Sequence, residues 1–522
     1  MPESPRRRAH RGTLARRTTT MAALCCFAAT AVHCQGQDSA QDGTTEGAST
    51  TSDGRTTSGE DDVTAADTTA ADTTADATGT SGTGSEWTAG QESGTTGDTA
   101  SLDEQLAEIL AAQEIPVVPL EPAPAQDPAV VALGEALFFD PILSGNMDIA
   151  CATCHHPSFG SSDGLSLTLG TGAVGLGPRR AQGSHPPFVP RHSPALFNIG
   201  DPSFTRMFWD GRVEQDDRGE LRTPAGPDLL PGLDSALAAQ AMFPVLDRRE
   251  MRGEPGDLTI LGDANELAVL DDGDPQAIWA ALMQRLGAID GYVQLFDAAF
   301  PGQSFDTLTF AHAANAIAAY ESEAFSFPNS PWDDYLRGTL TAISDAAKVG
   351  ALRFYGPAGC GECHSGPLLT DHRFHNTGVP QLGPGVGTWA PFDHGRELVT
   401  HDPNDRFAFR TPSLRNIEVS APYMHNGVHV EFQRMLVHYA SPTTAIEDFD
   451  PRGLLPELVA TIQQDPEHIA EIVGTLSDDL ELEPNFVGLS NIREFLEALS
   501  DPGVFSLRDI RPDSVPSGLP HP

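Results

Sequence analysis

Two pentapeptides, Cys151-Ala-Thr-Cys154-His155 and Cys360-Gly-Glu-Cys363-His364, decide how this chain is read. Two thiols with two residues between them can bond to the vinyl groups of one porphyrin, and the imidazole that follows then reaches the iron from one side. One such motif also reads as a redox-active cysteine pair beside a bystander histidine. Two of them, in a chain whose other cysteines are Cys25, Cys26 and Cys34 near the N-terminus, point instead to two covalently bound hemes c.

Outward from the motifs, a duplication is visible. Gly134 is followed four residues later by Phe138, and Gly350 four residues later by Phe354, each pair shortly ahead of its cysteines. Asp127 and Pro128 open a helix with Val130, Leu133 and Leu137 on one face. Phe310, Ala313, Ala314 and Ile317 after Asp306, and Ile492, Phe495, Leu496 and Leu499 after Ser490, form two more apolar stripes. Gly- and Pro-rich stretches separate these segments, and alternating strand-like runs are few. The expectation is a mainly α protein: two duplicated cytochrome c-like helical heme domains with long irregular loops.

The first 101 residues read differently. Arg6, Arg7, Arg8, Arg11, Arg16 and Arg17 precede an apolar run from Met21 to Val32, the pattern of an export signal, too short to remain as a membrane span. Cys34 follows directly and would serve as a lipid anchor, although His33 stands where a small residue is usual, and an ordinary cleaved signal reads these flanks as well. Either way the protein is expected in the periplasm or cell envelope. Residues 35–101, built from Thr, Ser, Ala, Gly and Asp, cannot bury enough apolar surface to offset the entropy of ordering and read as an acidic spacer. The domains expected are 1–34 leader, 35–101 spacer, 102–325 first heme domain, 326–506 second heme domain and 507–522 tail. The net charge of -42 disfavours nucleic acid and anionic lipid and is compatible with a basic partner protein.

Further stretches resemble the bacterial diheme cytochrome c peroxidases and their relative MauG, which matures methylamine dehydrogenase. They are LGEALFFDPILSGN at 133–146, FWDGR at 208–212, Gln240 with Glu250-Met251, GCGECHSGPLLTD at 359–371, RTPSLRN at 410–416 and APYMHNG at 421–427. The resemblance implies an active N-terminal heme fed with electrons by the C-terminal one. Trp209 matches the tryptophan between the hemes, where it relays electrons or fills the interface. Gln240 and Glu250 match the distal pair, and a carboxyl group beside the iron can carry a proton from the inner to the outer oxygen of peroxide.

The position of the ligand opposite His364 falls on Tyr439, where most of the peroxidases carry methionine and MauG carries tyrosine. Tyr439 shares a helical face with Phe432, Met435 and Leu436, so a packed core tyrosine is the alternative, and Met435 is a competing ligand one turn away. Where most of the peroxidases have a histidine that caps the first iron, this chain has Thr171, which implies an iron open without reductive activation; His185 is the nearby substitute. The family's calcium would take the carbonyls of Ser420 and Pro422, but its asparagine position reads His192, a poor ligand for a hard cation. Three functions follow: reduction of hydrogen peroxide with a small cytochrome c or cupredoxin as donor, MauG-like oxidation of a protein substrate, and electron transfer without catalysis. The stretches between Trp209 and Gln240, and from Met251 to about Gln276, are longer than the resemblance predicts and suit lids or partner surfaces.

Overall fold

In a computed structural model of the chain, fifteen α-helices are described. They are α1 (Leu102–Ala111), α2 (Pro128–Phe139), α3 (Cys151–Cys154), α4 (Ala236–Ala241), α5 (Pro275–Gly287), α6 (Asp290–Ala299), α7 (Phe310–Ala324), α8 (Pro331–Leu336) and α9 (Asp345–Phe354), then α10 (Glu397–Thr400), α11 (Phe432–Ala440), α12 (Pro442–Glu447), α13 (Pro456–Val459), α14 (Pro466–Gly474) and α15 (Leu489–Glu497). The structure describes residues 100–183, 188–477, 480 and 488–522, so the leader with Cys34, nearly all of the spacer, and His185 lie outside the described residues. The described residues, from 100 to 522, lie in one compact unit. Among the described residues no helix is long and apolar enough to cross a membrane.

Local chemistry accounts for the helix starts. The Asp127 carboxylate accepts from the Ala129 backbone N–H, and Pro128 occupies the first helical position, where its missing N–H costs nothing. Ser330 and Ser344 cap α8 and α9 in the same way. The stripe of α7 is buried as expected, with Thr309 at the cap position. In α15 the cap position is Gly488, and Ser490 lies inside the helix.

The duplication is structural. In the first half α2 crosses α7, and a Cβ added at Gly134 would lie 1.9 Å from the Ala316 carbonyl oxygen and 2.8 Å from Tyr320 Cβ. In the second half α9 crosses α15, and a Cβ added at Gly350 would lie 1.9 Å from the Asn491 carbonyl oxygen and 2.8 Å from Phe495 Cβ. Each glycine lets two backbones touch, and Phe138 and Phe354, one turn later, are fully buried beside the crossing. Gly134→Ala and Gly350→Ala are each expected to destabilise the folded protein by about 1–3 kcal/mol, measured as a lowered denaturation midpoint of the holoprotein.

Two apolar cores surround the crossings, one built on Leu133, Phe138, Trp279, Phe296 and Phe310, the other on Trp332, Phe354, Tyr355 and Phe495. A third cluster joins Leu165, Leu167 and Leu169 to Val379, Leu382 and Val428 and so ties the halves together. The chain ends are exchanged relative to the segments expected from sequence. Leu106 of α1 lies in the second core, and Asp103 accepts from Tyr335 and pairs with Lys348 of α9 at 2.8 Å. Val515 and Leu519 lie in the first core, and the Ser517 hydroxyl donates to Asp140 at 2.6 Å. Residues near 102 therefore pack with the second half and residues 507–522 with the first, each covering apolar surface of the opposite half.

Strands are minimal. β1 (Arg206–Met207), β2 (Val213–Gln215) and β3 (Leu221–Arg222) form one antiparallel sheet, with Arg206 opposite Glu214 and Glu214 opposite Arg222. β4 (Phe374–His375) pairs with β5 (Phe409–Arg410). The rest is irregular loop, so the mainly α class expected from the sequence is the one observed.

Candidate functional site

Both cysteine motifs open into one cavity of about 1170 Å³, which also takes in Trp209, Gln240, Glu250, His192, Ser420, Pro422, Met435 and Tyr439. That exceeds the volume usual for a single small-molecule site. The two histidines are held alike. His155 Nδ1 donates to the Ser161 carbonyl at 3.2 Å, and His364 Nδ1 donates to the Leu369 carbonyl at 3.0 Å. A carbonyl can only accept, so in each ring Nδ1 carries the proton and Nε2 is left as a donor atom for a metal. Burial pushes the His155 imidazole down to about 4 and lowers that of His364, so both rings are neutral at ordinary pH.

The four cysteines form no disulfide. Burial pushes the Cys151 and Cys360 thiols up to about 12. Two buried guanidinium groups complete the fit to porphyrins. Arg410 lines the cavity without a carboxylate partner among the described residues, and burial pushes it down to about 10. Arg415 is paired with Asp333 at 2.7 Å, yet its second terminal nitrogen has no hydrogen-bond partner. An acidic substituent such as a porphyrin propionate is the partner these cations lack.

Near His155 the cavity is closed by α4 and by a turn of π-helix, Arg248–Arg252, whose first residues are capped by Asp247. α4 carries Gln240 and the turn carries Glu250, and both side chains line the cavity. Burial first, then the Asp247 charge, pushes the Glu250 carboxyl up to about 7 against the pull of Arg212, Arg249 and Arg191. The segment 170–172 packs against this turn, with the Thr171 backbone N–H donating to the Glu250 carbonyl at 2.9 Å. The Thr171 hydroxyl donates to Asp148 at 2.7 Å, so the side chain is tied away from the cavity.

Between the motifs lies a polar cluster drawn from both halves. The Trp209 indole N–H donates to the His192 carbonyl at 2.9 Å, and the Trp209 carbonyl accepts from the Arg410 N–H at 2.8 Å. Arg191 binds Asp393 through two nitrogens, at 2.7 and 2.9 Å, and also binds Asp210. Burial opposes the ionisation of Asp210, but Arg191 and Arg212 outweigh it and hold the carboxyl far below its usual range. Phe208 has a left-handed backbone, φ 66°, with the Arg212 guanidinium 3.5 Å from its ring centre. Such a conformation persists only where the surroundings enforce it. Phe409 stacks on His425 with ring centres 3.5 Å apart.

Beside His364, α11 directs both Met435 and Tyr439 to the cavity. Tyr439 meets a residue not singled out from sequence: its hydroxyl lies 3.9 Å from Met424 Sδ, and Met424 also has a left-handed backbone, φ 74°. Burial, with the thiols of Cys363 and Cys360, pushes the Tyr439 phenol up. Met435 packs in the second core. At the calcium position the donor set does not fit, since His192 Nδ1 donates to the Leu165 carbonyl at 2.9 Å and the ring offers a hard cation one nitrogen at most. The individual roles of Arg191, Asp393, Arg410, Arg415 and Met424 escape sequence reasoning. RTPSLRN and APYMHNG mark the neighbourhood, but a guanidinium without an acid is recognisable only once its surroundings are known.

Residues 128–341 match the family model for di-haem cytochrome c peroxidase. The chain is 33% identical over 350 residues to the methylamine utilization protein MauG of Methylorubrum extorquens, covering 66% of this chain and 79% of that protein. It is 30% identical over 295 residues to the cytochrome c551 peroxidase of Pseudomonas aeruginosa, covering 56% and 67% respectively. A solved structure of a MauG-like protein associated with microbial copper homeostasis superposes with a TM-score of 0.51 at 23% identity, covering 76% of this chain and 96% of the other, a likeness of fold. This chain therefore belongs to the di-haem cytochrome c peroxidase and MauG family, as a heme peroxidase type of oxidoreductase with two c-type hemes.

Proposed function

We propose that this protein is exported and reduces hydrogen peroxide to water in the part of the cavity bounded by His155, Gln240 and Glu250, with electrons supplied by a small cytochrome c or cupredoxin through the His364 side. When bound, the hemes supply the iron centres at which peroxide is reduced and electrons are stored. The thiols of Cys151, Cys154, Cys360 and Cys363 would hold them as thioethers, and His155 and His364 would present Nε2 to the metals. The Glu250 carboxylate takes a proton from the inner oxygen of peroxide and returns it to the outer one as water leaves. Gln240 orients the substrate with its amide. Trp209, hydrogen-bonded to His192 of the first half and Arg410 of the second, would bridge the two sides for electrons, and Tyr439 would help His364 hold the second heme.

The observation that carries this reading is the pairing of Gln240 with a Glu250 carboxyl poised at about 7 in the cavity of His155, while the Thr171 side chain is bound to Asp148. The test offers peroxide and a reduced small cytochrome c or cupredoxin to the diheme protein. Peroxide-dependent oxidation of the donor, with both electrons of each peroxide accounted for, is the expected result. Failure with every donor offered would favour MauG-like oxidation of a protein substrate, the reading that Tyr439 and Thr171 support. A resting spectrum with two low-spin irons would instead favour an electron carrier.

A further inference from the structure

A second carboxyl group reaches the same cavity and has no part in the scheme above. α7 contributes two lining side chains one turn apart, Ile317 and Glu321. Glu321 is 5% exposed, and its Oε2 is fully buried with no hydrogen-bond partner. Burial alone pushes the carboxyl up to about 8.

No cation faces it. α2 brings Glu135, whose own carboxyl burial pushes up, and α7 itself adds Tyr320 beside them. α3 brings Cys151, a neutral thiol that burial and then the Glu321 charge push up. α4 brings the uncharged Gln240. α5 brings Arg285, but its guanidinium is bound to Glu266 and to the carbonyls of Ile142 and Ser144. Gly200 packs on Ser322 of α7, and nearby Asp201 accepts from Ser203.

An unpaired carboxylate in such a place is costly, and the group stays protonated unless positive charge appears close by. The one variable charge available on the Cys151 side is that of the first heme, which gains a unit of positive charge when it is oxidised. We propose that Glu321 is the proton partner of the electron held at the Cys151–His155 heme. When a one-electron reductant reduces that site, a proton from bulk water reaches Glu321 through the cavity and forms its O–H bond. When the electron leaves, the bond breaks and the proton returns to water. Glu321 thereby keeps the charge of the buried site nearly constant and makes the potential of this heme depend on pH. The inference rests on heme attachment at Cys151 and Cys154 but not on the peroxide reaction, since a MauG-like oxidase would show the same coupling.

The test is a redox titration of the diheme protein with small one-electron mediators from pH 6 to 10, following the two hemes by their absorption. The midpoint of the first heme is expected to fall as pH rises around 8, approaching one proton per electron. Above about pH 7.5, beyond the range in which Glu250 titrates, the slope should be lost in both Glu321→Gln and Glu321→Leu and persist in Glu250→Gln. A wild-type profile flat in that range, a slope there that survives either Glu321 substitution, or one lost only in Glu250→Gln would each overturn the proposal. Should neither Glu321 variant take up heme, the reduced-minus-oxidised infrared spectrum of the wild type decides. A protonated-carboxyl band that grows on reduction and shifts in heavy water supports the assignment, and its absence sinks it.

Discussion

If Glu250 carries the proton as proposed, replacing it with glutamine is expected to lower peroxide turnover by roughly 10²–10⁴-fold, the contribution of a positioned proton carrier, while leaving both hemes bound. Glutamine keeps the size and the neutral polarity of the protonated side chain, so the loss reports proton transfer rather than packing. The pH dependence gives the sign independently. The carboxyl is pushed up to about 7, so it is mostly protonated below that pH and mostly carboxylate above it. Only the carboxylate can accept the first proton of peroxide. The rate of reaction with peroxide should therefore rise as pH increases through about 7 and then level off, and this limb should be missing from Glu250→Gln. Stopped-flow mixing of the diheme protein with peroxide across pH 5–9 checks both. A variant that keeps wild-type rates and the same limb would remove Glu250 from the reaction.

Tyr439→Met is expected to raise the reduction potential of the heme held by His364 by on the order of 0.1 V, modest against the range that axial ligands command. A phenolate donates charge and favours the ferric state, whereas a thioether favours the ferrous one. Burial pushes the free phenol up, but a ferric ion opposite His364 would supply the positive charge that its pocket lacks and reverse that direction. The near contact with Met424 makes the experiment decisive. If Tyr439 is the ligand, Tyr439→Phe changes the ferric spectrum of this heme and Met424→Leu does not. If the sulfur of Met424 is the ligand, the two outcomes exchange.

The parts of this protein readable from its residues are those in which chemistry is local. The spacing in Cys151-Ala-Thr-Cys154-His155 and Cys360-Gly-Glu-Cys363-His364 suits one macrocycle each, and the glycine-to-phenylalanine interval ahead of each motif marks a helix crossing that recurs in both halves. The α7 and α15 stripes follow from period alone. Glu250 was legible only through resemblance, because a glutamate flanked by Asp247, Arg248, Arg249 and Arg252 reads as surface on its own. In the structure a π-turn places its side chain in the cavity lining, while Arg248 and Arg252 pair with Asp272 and Arg249 pairs with Asp247.

Sequence by itself determined the family and the two-fold helical plan and marked the two Cys-X-X-Cys-His motifs, since residue spacing and helical period are written in neighbouring residues. Only the tertiary structure decided which terminus covers which core, that Thr171 is bound to Asp148, that Met424 meets Tyr439, and that Glu321 faces the cavity without a partner. Those facts depend on burial and on contacts between residues tens to hundreds of positions apart, and no local pattern encodes them.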